Sequence, residues 1–322
     1  MLILCAAALS ALATTGSNLE TTINLNPAPS ASAEASYLIS DKRLHDDPKI
    51  WWDGFLNGLR GFEGFFDPIG NPIYFESPLN NSGLRLIYLH HTFDDKSQLQ
   101  GGNLNIIALQ LRVALTERLG LIATKDGYSM LSTGALGDAE GWNAIAGGLK
   151  YAFYVDKESD LVVTGGVRYM FDTGKDAILQ SGVQELSPFV SFAKGWDRFH
   201  LMGSLTDRIP LDDDGNNVLQ WDLHADWEFA PQDLPGFAPV LELHGLHYLS
   251  DGTRTPLAVG GLDYTNLGSQ FVEGSAVIWA GLGARWKLTP HISVGATYEY
   301  PLTNRKADIF GDRVTADVTF TW

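Results

Sequence analysis

The sequence is short of cysteine, of basic side chains and of long apolar runs. One Cys occurs in 322 residues, and 22 Lys and Arg stand against 38 Asp and Glu, a formal net charge of −16. A protein that holds nucleic acid by neutralising phosphates needs the opposite balance, so no nucleic-acid partner is expected. Charged residues make up only 19%, below the roughly 25% usual for soluble domains. The single Cys5 lies in the N-terminal apolar run. Without that run the chain has no disulfide, thiol nucleophile or Cys-based metal site. After the N-terminus no stretch of 18 apolar residues occurs, which excludes a membrane-crossing helix by the usual criterion. Walker, Rossmann, serine-elbow and zinc-protease motifs are also missing. No cofactor, metal site or catalytic residue is therefore expected.

What the chain has instead is glycine and aromatic surface: 34 Gly, 16 Phe, 11 Tyr and 9 Trp, with 45% hydrophobic residues overall. Glycine weakens helices, so the composition favours sheet with large apolar faces. Residues 1–13, MLILCAAALSALA, form a short apolar run closed by Ala11-Leu12-Ala13, the pattern of a secretory signal peptide, although no basic stretch precedes it. Residues 14–48, rich in Ser, Thr, Ala, Asn and Pro, read as a flexible linker. Residues 49–80 form an aromatic segment. Trp51, Phe55, Leu59, Phe62 and Phe66 recur at helical spacing, widened by Trp52, Leu56 and Phe65. Two readings stand for it: an interfacial helix or pore plug, or an irregular segment packed on the main fold, which Gly54, Gly58, Gly61 and Gly64 favour.

From residue 81 to 322 the pattern becomes two-residue alternation, repeated twelve times. In 218–229, Leu219, Trp221, Leu223, Ala225, Trp227 and Phe229 share one face, while Gln220, Asp222, His224, Asp226 and Glu228 share the other. The C-terminal run does the same, with Val314, Ala316, Val318, Phe320 and Trp322 opposite Arg313, Thr315, Asp317, Thr319 and Thr321. Most runs last 9–13 residues. Soluble strands average about 5–6 residues, whereas a tilted bilayer-crossing strand needs about 9–11. Aromatics such as Tyr151, Phe171, Trp227, Trp286 and Tyr300 sit near the ends of the apolar faces, as an interfacial girdle requires. The connections alternate too: short around 117–118, 156–160, 195–197 and 289–290, long at 127–141, 173–185, 250–273 and 302–311.

These runs, their sorted connections and the terminal Trp322 resemble the bacterial outer-membrane β-barrel class, porin-like in character. The stretch QLRVALTERLGLIATKDGY (110–128) resembles an uncharacterised family of such proteins. The resemblance implies an all-β fold: a closed antiparallel transmembrane barrel of about 12 strands in an outer membrane. It also implies lipid around the barrel, recognition of the C-terminal strand by the barrel-assembly machinery, and passage of a small polar solute. Alternation then assigns the lumen directly. Arg85, Arg112, Lys150, Arg168, Arg198, Arg285 and Arg313 are expected to line the pore, with Asp222, His224, Asp226, Glu228, Glu242, Glu299 and Asp317.

Three clusters invite sharper chemistry. His244, His247, Ser250 and Asp251 faintly resemble the His-x-Ser-Asn stretch of outer-membrane phospholipases and lipid A deacylases. His247 and Ser250 are three apart, however, and should face opposite ways. Asp212, Asp214 and Asn216 have the first oxygen spacings of a calcium loop but lack its glycine and its final Glu. His224 and His244, with Asp222 and Glu242, would meet only if their strands were neighbours, as metal ligands or as a hydrogen-bonded lumen. The sequence supports a passive channel for small hydrophilic solutes first. A non-conducting barrel that anchors or displays its loops is second, and a lipid hydrolase third. A soluble β-sandwich would require the apolar faces to be sealed inside.

Overall fold

The computed structural model describes residues 54–175, 183–260, 263–303 and 309–322. The signal-peptide and linker segments, Trp51 and Trp52 lie outside these residues. Fourteen strands form one sheet: β1 (Gly83–Phe93), β2 (Gly102–Ala114), β3 (Leu119–Lys125), β4 (Tyr128–Thr133), β5 (Gly137–Trp142), β6 (Ala146–Asp156), β7 (Leu161–Met170), β8 (Glu185–Trp196), β9 (Phe199–Pro210), β10 (Val218–Trp227), β11 (Phe237–Tyr248), β12 (Ala276–Thr289), β13 (Ile292–Pro301) and β14 (Arg313–Thr321). They make twelve staves, because β3 and β4 pair with successive parts of β2, and the β4–β5 hairpin interrupts the run from β3 to β6. Asp126-Gly127 marks the break. Gly127 has φ +97°, and a Cβ there would stand 2.3 Å from the Ile107 carbonyl oxygen.

The sheet closes on itself. β1 pairs antiparallel with β14, from Gly83↔Thr321 to His91↔Arg313, and with β2, from Gly83↔Arg112 to Phe93↔Gly102. Closure leaves no edge in the ring of staves, and only β5, in the hairpin at the long-loop end, has a single strand partner among the described residues. A closed ring lets a sheet sit in hydrocarbon without unpaired backbone groups. The even stave number returns the chain to the short-turn end where β1 began. Two of those turns have two residues, Asp197-Arg198, with Asp197 at φ +56°, and Pro290-His291.

Alternation sorts the two faces as the sequence proposed. Leu241 is 58% exposed and Leu282 69%, and with Leu86, Ile107, Leu149, Val190 and Tyr298 they cover the outside in a continuous apolar belt. A soluble monomer rarely exposes so large an apolar patch. Aromatic pairs mark its two margins. Trp196–Phe199, Trp227–Phe229 and Phe237–Trp286 sit at the short-turn end, and Tyr169–Phe171 and Tyr128–Trp142 at the long-loop end. The belt is the lipid-facing surface of a transmembrane barrel.

The interior is occupied by residues 54–82. They form turns and extended chain, not a helix: Gly54, Leu56, Gly58 and Gly61 all have positive φ, and Pro68, Pro72 and Pro78 follow. Of the aromatic stripe, Leu59, Phe62 and Phe66 are buried, while Phe55 is 51% exposed. Leu59, Phe62, Phe65, Phe75 and Leu79 pack on Ala152, Val162, Ala193 and Met202 of the inner wall. Small wall residues make room here: a Cβ at Gly195 would lie 3.1 Å from the Phe65 ring. At the long-loop end Val259 and Tyr264, from the β11–β12 connection, join Leu89, Leu104, Ile106, Leu131 and Ile309 in an apolar cap.

Candidate functional site

The wall facing residues 54–82 is charged, and its two signs are segregated. On one side Arg112 of β2, Lys150 of β6 and Arg168 of β7 surround Glu76. Its carboxylate accepts from Arg112 Nε at 2.9 Å, Arg112 Nη2 at 3.1 Å and Lys150 Nζ at 2.8 Å, with Arg168 Nη2 at 3.8 Å. Lys150 also donates to the carbonyls of Ser77 and Leu79, at 2.9 and 2.7 Å. Next to this group Arg208 donates to Glu185 at 3.0 and 3.2 Å, and Tyr74 donates its hydroxyl to Glu185 at 3.0 Å. The Tyr74 ring lies 4.1 Å from the Arg208 guanidinium.

The opposite wall is acidic. Glu242 of β11 accepts the Ile69 and Gly70 N–H groups, both at 2.7 Å, and Asp222 of β10 accepts the Asn71 amide at 2.5 Å. The register puts Asp222 opposite His244, His224 opposite Glu242 and Asp226 opposite His200. The imidazoles link the carboxylates in a row. His200 Nδ1 meets Asp226 at 2.7 Å, and His224 bridges Asp226 (3.1 Å) and Glu242 (2.9 Å). His244 Nδ1 meets Asp222 at 2.8 Å. Gly70 tolerates no side chain, since a Cβ would stand 2.7 Å from Glu242 Oε2 and 2.9 Å from Glu299 Oε1 and His244 Nε2.

Between these walls Arg85 and Arg285 share Asp317, at 2.6 and 2.7 Å, and hold the segment by its carbonyls. Arg85 donates to Ile69 O at 3.0 Å and Arg285 to Asp67 O at 2.8 Å. Towards the long-loop end Arg313 is bonded at once to Asp263 (2.8 and 2.7 Å) and to Glu299 (2.8 and 2.5 Å). Asp263 belongs to the β11–β12 connection, which is pinned again by Arg208 to its Asp263 carbonyl at 3.0 Å and by Lys125 to the Tyr264 carbonyl.

Twelve of the fourteen residues named from sequence for the pore wall therefore have their side chains on the inner face. Arg198 does not. It stands in the Asp197-Arg198 turn with its side chain half exposed, because alternation stops where the strand stops. Glu228, just past β10, is half-buried and accepts the Gly236 N–H at 3.3 Å. Sequence reasoning missed Glu76, Lys125, Glu185, His200, Arg208 and Asp263. His200 and Arg208 share the inward parity of Ser204 and Thr206 and were legible in the alternation. Glu185 closes the stretch read from sequence as the long connection 173–185, whereas β8 begins with it. Glu76 and Asp263 lie on irregular chain, where no periodicity announces a face.

The other candidate clusters resolve into local contacts. His247 accepts the Trp221 indole N–H at 3.0 Å, and the Ser250 hydroxyl accepts the Asn217 N–H at 3.1 Å. Asp212 accepts the Asp214 N–H at 3.1 Å, and Asp214 receives the Thr253 hydroxyl at 2.8 Å, so the acidic run ties two loops together. His224 and His244 direct their Nδ1 atoms at carboxylates.

One variant and one pH measurement probe how the interior is held. Glu242→Gln withdraws the charge that two segment N–H groups and His224 share. Hydrogen bonds to charged groups contribute about 1.5–3 kcal/mol each, so a destabilisation of about 2 kcal/mol is expected, read from the urea midpoint at unchanged slope. Asp263 provides a pH test. Burial alone would raise its pKa, but the Arg313 guanidinium holds the carboxyl below its usual 3.8. A depressed folded pKa gives anchoring that is complete at neutral pH. It fades only as the pH falls below 3.8 and through the lower folded value. Pepsin cleavage within the β11–β12 connection should therefore appear only below that pH, and cleavage that is already rapid at neutral pH with a neutral-pH protease would count against the anchor.

No family model matches the sequence, and no curated protein matches it either. Solved structures do. The COG4313 outer membrane channel from Pseudomonas putida F1 superposes with a TM-score of 0.59 at 14% identity, covering 80% of this chain and 100% of that one. The fold is that of a porin-like outer-membrane β-barrel. The NanC porin follows at TM-score 0.44 and 12% identity, over 75% of this chain and 100% of its own. OprD from Pseudomonas aeruginosa follows at 0.36 and 11%, over 75% and 93%. The barrel shares with the first of these its architecture across the whole of that protein's length.

Proposed function

We propose that the barrel is an outer-membrane channel for small hydrophilic solutes that rests closed, with residues 54–82 in its lumen. The observation that carries this reading is the charged inner wall. A barrel serving only as an anchor could fill its interior with apolar side chains, and burying ion pairs costs more desolvation than burying hydrocarbon of similar volume. Here the wall keeps Arg112, Lys150, Arg168, Asp222, Glu242 and Asp317 along one passage, the kind of lining that sets selectivity in a pore. Twelve staves give an interior wider than a side-chain-filled eight-stranded barrel. The insert is held mainly by ion pairs and side-chain hydrogen bonds, such as Glu76 to Lys150 and Glu242 to the Gly70 N–H, with isolated backbone contacts such as Leu56 N–H to the Ala114 carbonyl in place of strand pairing, so it can leave without opening the sheet. The likeness to a protein described as an outer membrane channel supports the same reading.

The second reading, a non-conducting barrel that displays its loops, draws support from the filled interior. A cavity beside Ile73, Gln110, Lys125 and Tyr264 has about 30 Å³, room for about one water. Planar-bilayer recording separates the two. Stepwise currents from the intact chain support the channel, and silence from both the intact chain and one lacking residues 54–80 overturns it. The alternating C-terminal strand ending in Trp322 also suits recognition by the barrel-assembly machinery, and removal of Phe320–Trp322 tests that by the yield of folded barrel in the membrane.

A further inference from the structure

We propose that the cluster of Arg112, Lys150 and Arg168 is a carboxylate-binding site presently filled by the chain's own Glu76, and that a carboxylate-bearing solute opens the barrel by displacing it. The proposal rests on the channel reading and adds the class of solute and the way it gains entry.

Three cations from three staves converge on one carboxylate. Arg112 and Lys150 bind Glu76 directly, at 2.8–3.1 Å. Arg168 does not complete the set. Its Nε donates to Thr124 at 2.7 Å, while both terminal nitrogens lack a hydrogen-bond partner, in a side chain only 1% exposed. Nη2 stops 3.8 Å short of Glu76. The guanidinium lies over the Tyr74 and Phe189 rings, 5.3 Å from each centroid, but its buried terminal donors still go unused, and a carboxylate free of the constraints of residues 74–79 could approach Nη2 closely. Arg is suited to that role because its two terminal N–H groups match a carboxylate in a fork.

The charge balance points the same way. The negative charges that Lys150 meets are Glu76 and Asp67, both on the inserted segment. When the segment leaves, its carboxylates leave with it, and the three cations face the passage. On the acidic wall the segment presents donors instead, the Ile69 and Gly70 N–H groups on Glu242. The insert thus offers each wall the complement of its charge, as a bound ligand would. A solute with a carboxylate at one end and hydrogen-bond donors at the other meets both walls in the same way.

The full-length protein in detergent provides the test, with acetate as probe and acetamide as its neutral counterpart. Glu76→Ala should lower the melting temperature, and acetate should restore it while equal acetamide or chloride does not. Adding Arg168→Gln to that variant should abolish the recovery. Equal effects of acetate and acetamide would overturn the site. Displacement is read in bilayers on the intact chain. Succinate should raise the open fraction and succinamide should not, and Glu76→Gln should shift the half-maximal succinate concentration down roughly tenfold, the change that loss of about 1.4 kcal/mol of competing contact produces. An unchanged half-maximal concentration in Glu76→Gln overturns the competition even if Glu76→Ala fails to assemble. A chain lacking residues 54–80 that conducts while neither probe distinguishes the variants rejects this proposal alone, and silence from that chain and the intact one alike rejects the channel reading.

Discussion

A chain lacking residues 54–80 should conduct ions roughly tenfold better than the intact barrel, because a twelve-stave interior is wider than its side chains alone can fill. In the intact protein that interior holds Phe62, Phe66, Ile69, Tyr74 and Phe75, each almost fully buried. None of them belongs to a stave, so their removal leaves the ring of pairings from β1 round to β14 untouched. What they leave behind is polar. Glu242, Asp222, Arg112, Lys150 and Arg85 exchange their bonds to the segment for bonds to water, which they can do because a vacated lumen hydrates. The apolar patch of Ala152, Val162, Ala193 and Met202 loses its cover, a modest cost because only Met202 among them is large. Conductance histograms of the two chains at one salt concentration give the comparison. Equal currents would mean that the insert does not obstruct the passage.

Arg313→Met should destabilise the barrel by about 3–5 kcal/mol, the range found when one partner of a buried ion pair is removed. Arg313 is 1% exposed and bonds two carboxylates at once, Glu299 of β13 and Asp263 of the β11–β12 connection. Methionine fills much of its volume, so the loss is electrostatic and not a cavity. Glu299 keeps the Trp279 indole at 2.9 Å and the Thr315 hydroxyl at 2.8 Å. Asp263 loses its only guanidinium contact through the side chain among those described. The urea midpoint should fall, and the β11–β12 connection should become open to protease. Adding Glu299→Gln should recover part of the loss by removing one of the stranded charges. Arg198→Ala is the contrast. Its side chain is half exposed in a turn, and a change within about 0.5 kcal/mol is expected. A loss in Arg313→Met no larger than this would show that the buried network contributes little.

The staves were readable because a transmembrane strand must alternate. Lipid on one side and a wet interior on the other impose a period of two over nine residues or more, and Leu219-Gln220-Trp221-Asp222 shows it without ambiguity. The same parity rule located Arg85, Arg112, Lys150, Arg168, Arg285 and Arg313 on the inner face. It failed at Arg198 because parity carries on past the end of a strand while the chain turns away. It had no purchase on residues 54–82. Their aromatic spacing suggests a helix, yet glycines at positive φ and three prolines bend them into turns.

Amino-acid order by itself determined the number of staves, their direction and which side chains meet lipid, since each follows from a local repeat and from the cost of an unpaired peptide group in hydrocarbon. Only the tertiary structure decided what fills the ring. The partner of Lys150 is Glu76, 74 residues away, and the partner of Gly70 is Glu242, 172 residues away. Such pairings depend on closure of the sheet around an irregular segment, where charge complementarity across a narrow passage selects the fit and no short-range pattern records it.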